Sequence, residues 1–452
     1  MNLNYSNRIM LIVFLFFLSL KVTAQEIPIV FKNVNVISME DESVLVNKHV
    51  TIQHGRIISI DNKKIPKDAQ VIDGTGKYLI PGLAEMHAHV PPVDNIEPMK
   101  DVLELFALNG ITTIRGMLGH PRHLELREMI RKGEILSPSF YTSGPSFSGN
   151  SVTTAEQAEA MVRNQKKAGY DFLKLHPGLT PEVFRSIVKT AQEEKIPYGG
   201  HVSFQVGLKA ACESKYATID HLDGMVEALV PNINNYSEEQ TGLFGMFIGD
   251  KADESRIPQV VKMIKENNVW LVPTQSLAER WFAPDATPEK MNAEPEMKYM
   301  NASTRNSWMD AKKNLLSDKR FDAQKMEQYI GLRKKLILEA QRNGIGILLG
   351  SDGPQVFNVP GFSVHHELRY LVASGLTPFE ALQTGTTRVA EFYNLTDAGK
   401  IKSGYVADLI LLGSNPLENI SHTTDIHGVV IRGNWIDKKS IDERLKRLEK
   451  NN

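Results

Sequence analysis

The sequence predicts an α/β protein: a (β/α)8 TIM barrel with a small β-sandwich domain formed by the N- and C-terminal segments. Three observations predict it. Strand-like and helix-like patterns alternate from about residue 80 to residue 396, the mark of parallel strands covered by helices. Short β-rich stretches flank this region on both sides, and chain ends often lie close together. Histidine, lysine and aspartate recur at the ends of the expected strands, where barrel enzymes place their chemistry.

The first element lies outside the fold. Arg8 precedes an apolar run over residues 9–20, and Val22, Thr23 and Ala24 offer small residues for cleavage before Gln25. That is the pattern of a secretory signal peptide over residues 1–24. The run falls short of the ~20 apolar residues that a spanning helix needs. The expectation is a secreted or periplasmic protein without stable membrane insertion.

Composition narrows the class. Of 452 residues, 42% are hydrophobic and 23% charged, as in a soluble globular protein. The formal net charge of −1 gives no electrostatic case for nucleic acid or an anionic membrane. The single cysteine, Cys212, excludes an intrachain disulfide and a thiolate metal cluster. A homo-oligomer stays open.

The small domain is expected over residues 25–79 and 397–437. Its N-terminal part has β-rich stretches at 29–31, 35–37, 49–52 and 56–60, with turns at Gly55 and at residues 73–76. The same texture returns at 404–412 and 428–434. Residues 438–452 read as a closing helix or tail.

The barrel spans residues 80–396. Its first strand carries His87, and seven more are expected at 112–117, 139–143, 172–176, 198–202, 218–221, 269–273 and 345–351. Helix patterns intervene, as at 181–194 and 377–387. The stretch from about 231 to 340 exceeds a normal unit. It reads as a Met-, Lys- and Glu-rich helical insertion over the barrel mouth.

His87 and His89 are two apart on a strand, so both imidazoles leave on one face. Two imidazoles on one face suit Zn²⁺ or a similar ion. Lys174, His201, His221 and Asp352 each lie at or near the end of an expected strand. Any one could be a satisfied core or turn residue; together with the histidine pair they describe a metal site.

With these six residues the chain resembles the amidohydrolase superfamily, which carries an HxH on strand one, a lysine on strand four, histidines on strands five and six and an aspartate on strand eight. Pro81-Gly82-Leu83 before the histidines and the stretch 404–409 add to the likeness. Stretches 174–179, 200–202 and 365–368 resemble the imidazolonepropionase-like and Xaa-Pro dipeptidase-like branch. Lys174 favours the dipeptidase-like side, and Asp220 stands where the family more often has Glu.

The resemblance implies two divalent metal ions. One would be held by His87, His89, Lys174 and Asp352, the other by Lys174, His201 and His221. An ammonium cannot bind a cation, so Lys174 would serve as a carbamate derived from CO₂. N and O ligands suggest Zn²⁺, with Mn²⁺ or Co²⁺ as alternatives. The implied reaction is hydrolysis of an amide or peptide C–N bond by a metal-bridging hydroxide, with Asp352 as the catalytic proton carrier. The expected partner is a small-molecule amide or dipeptide. The alternatives are a cyclic amide or N-acyl compound and, in a different class, a non-catalytic ligand-binding barrel. His120, Ser143, His176 and Arg280, near strand ends, are the substrate-contact candidates.

Overall fold

The computed structural model describes residues 27–450, so the expected signal peptide over residues 1–24 lies outside the described residues. Five strands open the chain: β1 (Ile29–Ile37), β2 (Val44–Gln53), β3 (Arg56–Asp61), β4 (Gln70–Asp73) and β5 (Tyr78–Pro81). Seven follow in the central region: β6 (Leu83–Ala88), β7 (Ile111–Gly116), β8 (Ser139–Thr142), β9 (Leu173–Leu175), β10 (Tyr198–Gly200), β11 (Thr218–Asp220) and β12 (Trp270–Val272). Three close the chain: β13 (Leu409–Leu412), β14 (Ile426–Ile431) and β15 (Asn434–Asp437).

The terminal strands form one sheet in the order β15-β14-β13-β5-β1-β2-β3, with β4 also paired to β1. The seam between the two chain ends is the antiparallel pair β5–β13, with Ile80 opposite Ile410. Phe31, Val36, Val50, Leu79, Leu409 and Val430 form its own buried cluster. The stretches 29–31 and 35–37, read as separate strands, are one strand interrupted by bulges on either side of Val34. The strand-like stretch 428–434 is the end of β14 and the first residue of β15, parted by a turn at Arg432 and Gly433, which both take positive φ.

The central region is a TIM-barrel-like α/β fold. β6, β7 and β8 make one parallel sheet; β9 to β12 make another. An isolated parallel bridge, Ser143 to Phe172, joins the two sheets. The expected eighth strand at 345–351 is irregular, paired as a bridge only at Ile347. Its backbone still bonds both neighbours: Leu271 N to Gly346 O at 2.9 Å and Met86 N to Leu349 O at 2.8 Å. One physical reason for the irregularity is that the Ser351 N–H bonds the Glu85 carboxylate and not a neighbouring backbone. Inside, Arg115 of β7 reaches Thr218 of β11 at 3.0 Å and lies over the Phe172 ring.

The helices follow their signals. In the helix Pro181–Glu193, the Thr180 hydroxyl accepts from Val183 N, proline takes the first turn, and Val183, Phe184, Ile187 and Ala191 are buried. The helix expected at 377–387 splits at Gly385 into Pro378–Thr384 and Thr387–Phe392. The stretch 231–340 contains β12 and a series of helices joined by turns; the longest are Ala302–Leu316 and Ala323–Arg342, which runs just past it. The expected closing helix is Lys438–Leu448. Among the described residues, no helix is long and apolar enough to cross a membrane.

Candidate active site

The site starts where β5 steps directly into β6. A Cβ on Gly82 would lie 2.3 Å from the Thr112 side chain, so only glycine lets the chain pass there. Every residue of β6 is buried. His87 and His89 emerge at its C-terminal end with ring centroids 5.4 Å apart. Both reach Asp352: His89 Nε2 is 2.7 Å and His87 Nε2 is 3.7 Å from Asp352 Oδ1. Neither contact has hydrogen-bond alignment, so Oδ1 is buried without a hydrogen-bonding partner.

Lys174, in the middle of β9, is fully buried. Its Nζ is 3.5 Å from His87 Nε2 and 3.5 Å from Asp220 Oδ2. Gly200 makes this possible. Its φ is +124°, and a Cβ there would lie 2.6 Å from the Leu175 carbonyl oxygen and 2.8 Å from Lys174 Cδ. Burial pushes the Lys174 ammonium below its ordinary range, against the pull of Asp220 and Asp352.

His201 directly follows β10, and His221 directly follows β11. The His87 and His221 rings lie 4.4 Å apart and the His201 and His221 rings 4.6 Å apart. His201 Nδ1 faces Asp223 Oδ2 at 3.1 Å, and His221 Nδ1 faces Thr274 Oγ1 at 2.8 Å. Such partners set the tautomer of a metal-binding imidazole. Burial, with Lys174 adding to it, pushes His201 down to about 3. Burial lowers His87 and His221 well below the usual range too. Neutral imidazole is the ligand form.

Three of these strand ends are strained. His221, Thr274 and Asp352 have φ of +63°, +47° and +66°. Left-handed backbone at non-glycine residues persists where surrounding contacts enforce it, and it gathers at functional sites. Arg333 supplies part of that enforcement. It is fully buried on the helix Ala323–Arg342 and donates to the carbonyls of His221 at 2.6 Å and Pro273 at 2.7 Å.

The donor set fits a cation. His87, His89 and Asp352 can each turn one ligand atom to a common point, all within 4.8 Å of one another. Both Asp220 oxygens and the facing His87 Nδ1 lack hydrogen-bond alignment although they approach to 2.9 Å. Burial raises the Asp220 carboxyl, but Lys174 and Arg115 outweigh it and hold it below the ordinary range.

The substrate-contact candidates divide. His176 is at the site: its ring stacks on His201 at 4.9 Å, its Nδ1 is buried without a partner, and burial pushes it down to about 2. His120 caps the helix Pro121–Arg131, accepting from Arg122 N, and faces Asp94 at 3.6 Å. Ser143 is buried and donates to the Gly116 carbonyl at 3.2 Å. Arg280 is buried too; it bonds the Phe357 carbonyl at 3.0 Å and pairs with Glu294, so its guanidinium is already engaged. His366, beside that pair, bonds Glu296 at 2.6 Å, and His365 packs against Thr423 and Asn109.

Sequence reasoning missed Asp223, Thr274, Arg333 and Phe244, which stacks over His201 and His221 at 5.8 and 4.7 Å. It also missed Glu85. The alternation that pairs His87 with His89 puts Glu85 on the same face, a signal that was present in the strand.

This arrangement gathers candidate metal ligands at the strand ends of a TIM-barrel-like scaffold. A model of the amidohydrolase family matches residues 78–436, and the chain belongs to that family. Among curated relatives, the ochratoxinase of Aspergillus niger is 24% identical over 365 residues, 69% of this chain. The match takes in 62% of that relative's own length. Solved structures similar in fold include a putative prolidase from Bifidobacterium longum (21% identity, TM-score 0.68, 94% of this chain and 99% of that one). Two others are a bottromycin amidohydrolase (20%, 0.70, 93% and 90%) and a Xaa-Pro dipeptidase crystallised with methionine (18%, 0.67, 91% and 100%).

Proposed function

We propose that this chain is a binuclear metal-dependent amidohydrolase that cleaves a C–N bond in a dipeptide-like substrate of the Xaa-Pro type. The observation that carries this reading is the convergence of His87, His89 and Asp352 on one point beside buried Lys174, with His201 and His221 stacked against it. Family membership and the prolidase-like neighbours support it. The reading includes a closed eight-unit barrel, a terminal sheet folded into a sandwich, and export after removal of residues 1–24.

His87, His89 and Asp352 would hold one ion, and His201 and His221 the other. Lys174 would serve both after its amine adds CO₂ and loses a proton, giving an anion between two cations. Zn²⁺, or Mn²⁺ or Co²⁺, would acidify water and polarise the amide carbonyl. The residues do the rest. Asp352 Oδ1 is buried without a hydrogen-bonding partner, so the Asp352 carboxylate can take the proton that water gives up and deliver it to the leaving nitrogen. Asp223 and Thr274 keep the His201 and His221 rings oriented. Phe244 stacks against both rings and helps fix them.

Metal analysis of the purified protein, followed by a panel of Xaa-Pro and other dipeptides, N-acyl amino acids and cyclic imides, tests the reading. About two ions per chain are expected from the two ligand sets, with turnover lost on chelation. Turnover in a metal-free preparation would rule the mechanism out. Turnover of cyclic imides alone would move the substrate assignment.

A further inference from the structure

A cavity of about 610 Å³ opens beside the histidines. It shares Asp223 and Phe244 with the site, and its wall includes Val202 and Ser203, which directly follow His201. Much of its lining is apolar, as at Phe204, Ile233, Leu243, Met246 and Phe247. Its charges are unbalanced. The two cations on its wall are engaged elsewhere: Lys209 faces Glu213 at 3.7 Å, and Arg320 bonds Asp318 at 2.9 Å. Glu227, Glu238 and Glu239 also line it, and among the described residues none of them has an ion-pair partner.

Glu227 is the most constrained of the three. It lies in the short helix Met225–Leu229, under the turn at Gly245, where a Cβ would lie 3.1 Å from its Cδ. Its side chain borders the cavity, and its Oε2 is buried with no hydrogen-bonding partner. A buried carboxylate oxygen without a partner is costly, and that cost is relieved by a donor, above all a cationic one.

We infer that this cavity is a recognition subsite for the non-reacting end of the substrate, and that it takes an apolar group ending in a positively charged amine, with Glu227 as its specificity-determining residue. The inference rests on the hydrolase reading only for the word substrate; the binding site stands on the cavity itself. An ammonium donating to the Glu227 carboxyl group gives its unpartnered oxygen a donor, while its apolar body lies against the apolar lining at Leu243, Phe244 and Phe247. Burial, with Asp223 adding to it, pushes the Glu227 carboxyl up to about 8, and a cation seated there draws it back to the charged form.

The test is binding of 4-phenylbutylamine and of its uncharged counterpart 4-phenylbutan-1-ol to the full chain, by calorimetry at pH 7. The amine should bind about tenfold tighter than the alcohol, the worth of one charge-assisted hydrogen bond. Glu227→Gln should bring the two to nearly equal affinity by weakening the amine alone. Leu243→Lys, at a half-exposed rim position, should weaken the amine and spare the alcohol; it keeps the test sound if Glu227→Gln does not fold. Equal affinities in the wild-type protein, or an amine preference unchanged in both variants, would overturn the inference. No turnover enters this measurement. Amine binding without hydrolysis of any amide in the metal-loaded protein would sink the hydrolase reading and leave the subsite standing.

Discussion

The Glu85 carboxylate accepts the backbone N–H of Ser351 at 2.8 Å. The same oxygen accepts the N–H of His87 at 2.9 Å. One buried side chain thus ties the strand end that carries the histidine pair to the strand end that carries Asp352. Removing it leaves buried donors unpaired on both strands. Glu85→Ala should destabilise the chain by about 3 kcal/mol. Urea unfolding measures the loss, and metal analysis should show weaker retention. Unchanged unfolding and metal content would mean that the strand ends are held by other contacts.

Arg333 holds the strained His221 turn from the helix Ala323–Arg342. Arg333→Met keeps the length of the stem and deletes the donors, so the carbonyls of His221 and Pro273 lose their partner. A cost of about 2–4 kcal/mol is expected for such buried, charge-assisted bonds. Metal titration of the folded variant should show weakening centred on the ion assigned to His201 and His221. Equal weakening of both ions would mean general loosening.

Lys174 separates a carbamate role from a structural one. Lys174→Arg keeps the positive charge and cannot form the carbamate. It should lose nearly all turnover and at least one of the two ions. Lys174→Ala should behave alike, with partial return of metal when a small carboxylic acid is added. Full activity and two ions in Lys174→Arg would refute the carbamate.

Glu367 gives a pH dependence that can be assigned. It is buried and accepts from Gln275 N at 2.9 Å and from Ser276 N. Burial pushes its carboxyl up to about 7 from the ordinary 4.5. A raised carboxyl binds more protons folded than unfolded, so its contribution is full below the ordinary value and is lost as pH rises through the folded one. The Tm advantage of wild type over Glu367→Gln should therefore shrink between about pH 5 and pH 8. A gap that widened over that range would reverse the assignment.

Much of this molecule was legible in one dimension. Seven of the eight strands expected in the central region lie where the apolar runs placed them, because short β-rich segments between helical periods leave few other foldings. The six residues expected as ligands cluster because the central strands run parallel and end on one side. The irregularity of the eighth strand and the turn at Arg432 and Gly433 were not foreseen, since a side-chain bond to Ser351 and two positive φ angles depend on neighbours far along the chain or on turn geometry.

Residue types and their two-residue and strand-end spacing were enough to single out the candidate ligands, the order in which the chain presents them and the α/β class. Those are properties of local periodicity, which a sequence carries directly. Only the tertiary structure decided what surrounds that set. Asp220 reaches His87 from β11, Arg333 reaches His221 across 112 positions, and Arg280, expected at the substrate, is drawn to Glu294 and the Phe357 carbonyl. The cavity at Glu227 is likewise built from segments that meet only in space. Such contacts depend on which side chains share a buried volume, and burial raises the cost of leaving any one of them unpaired.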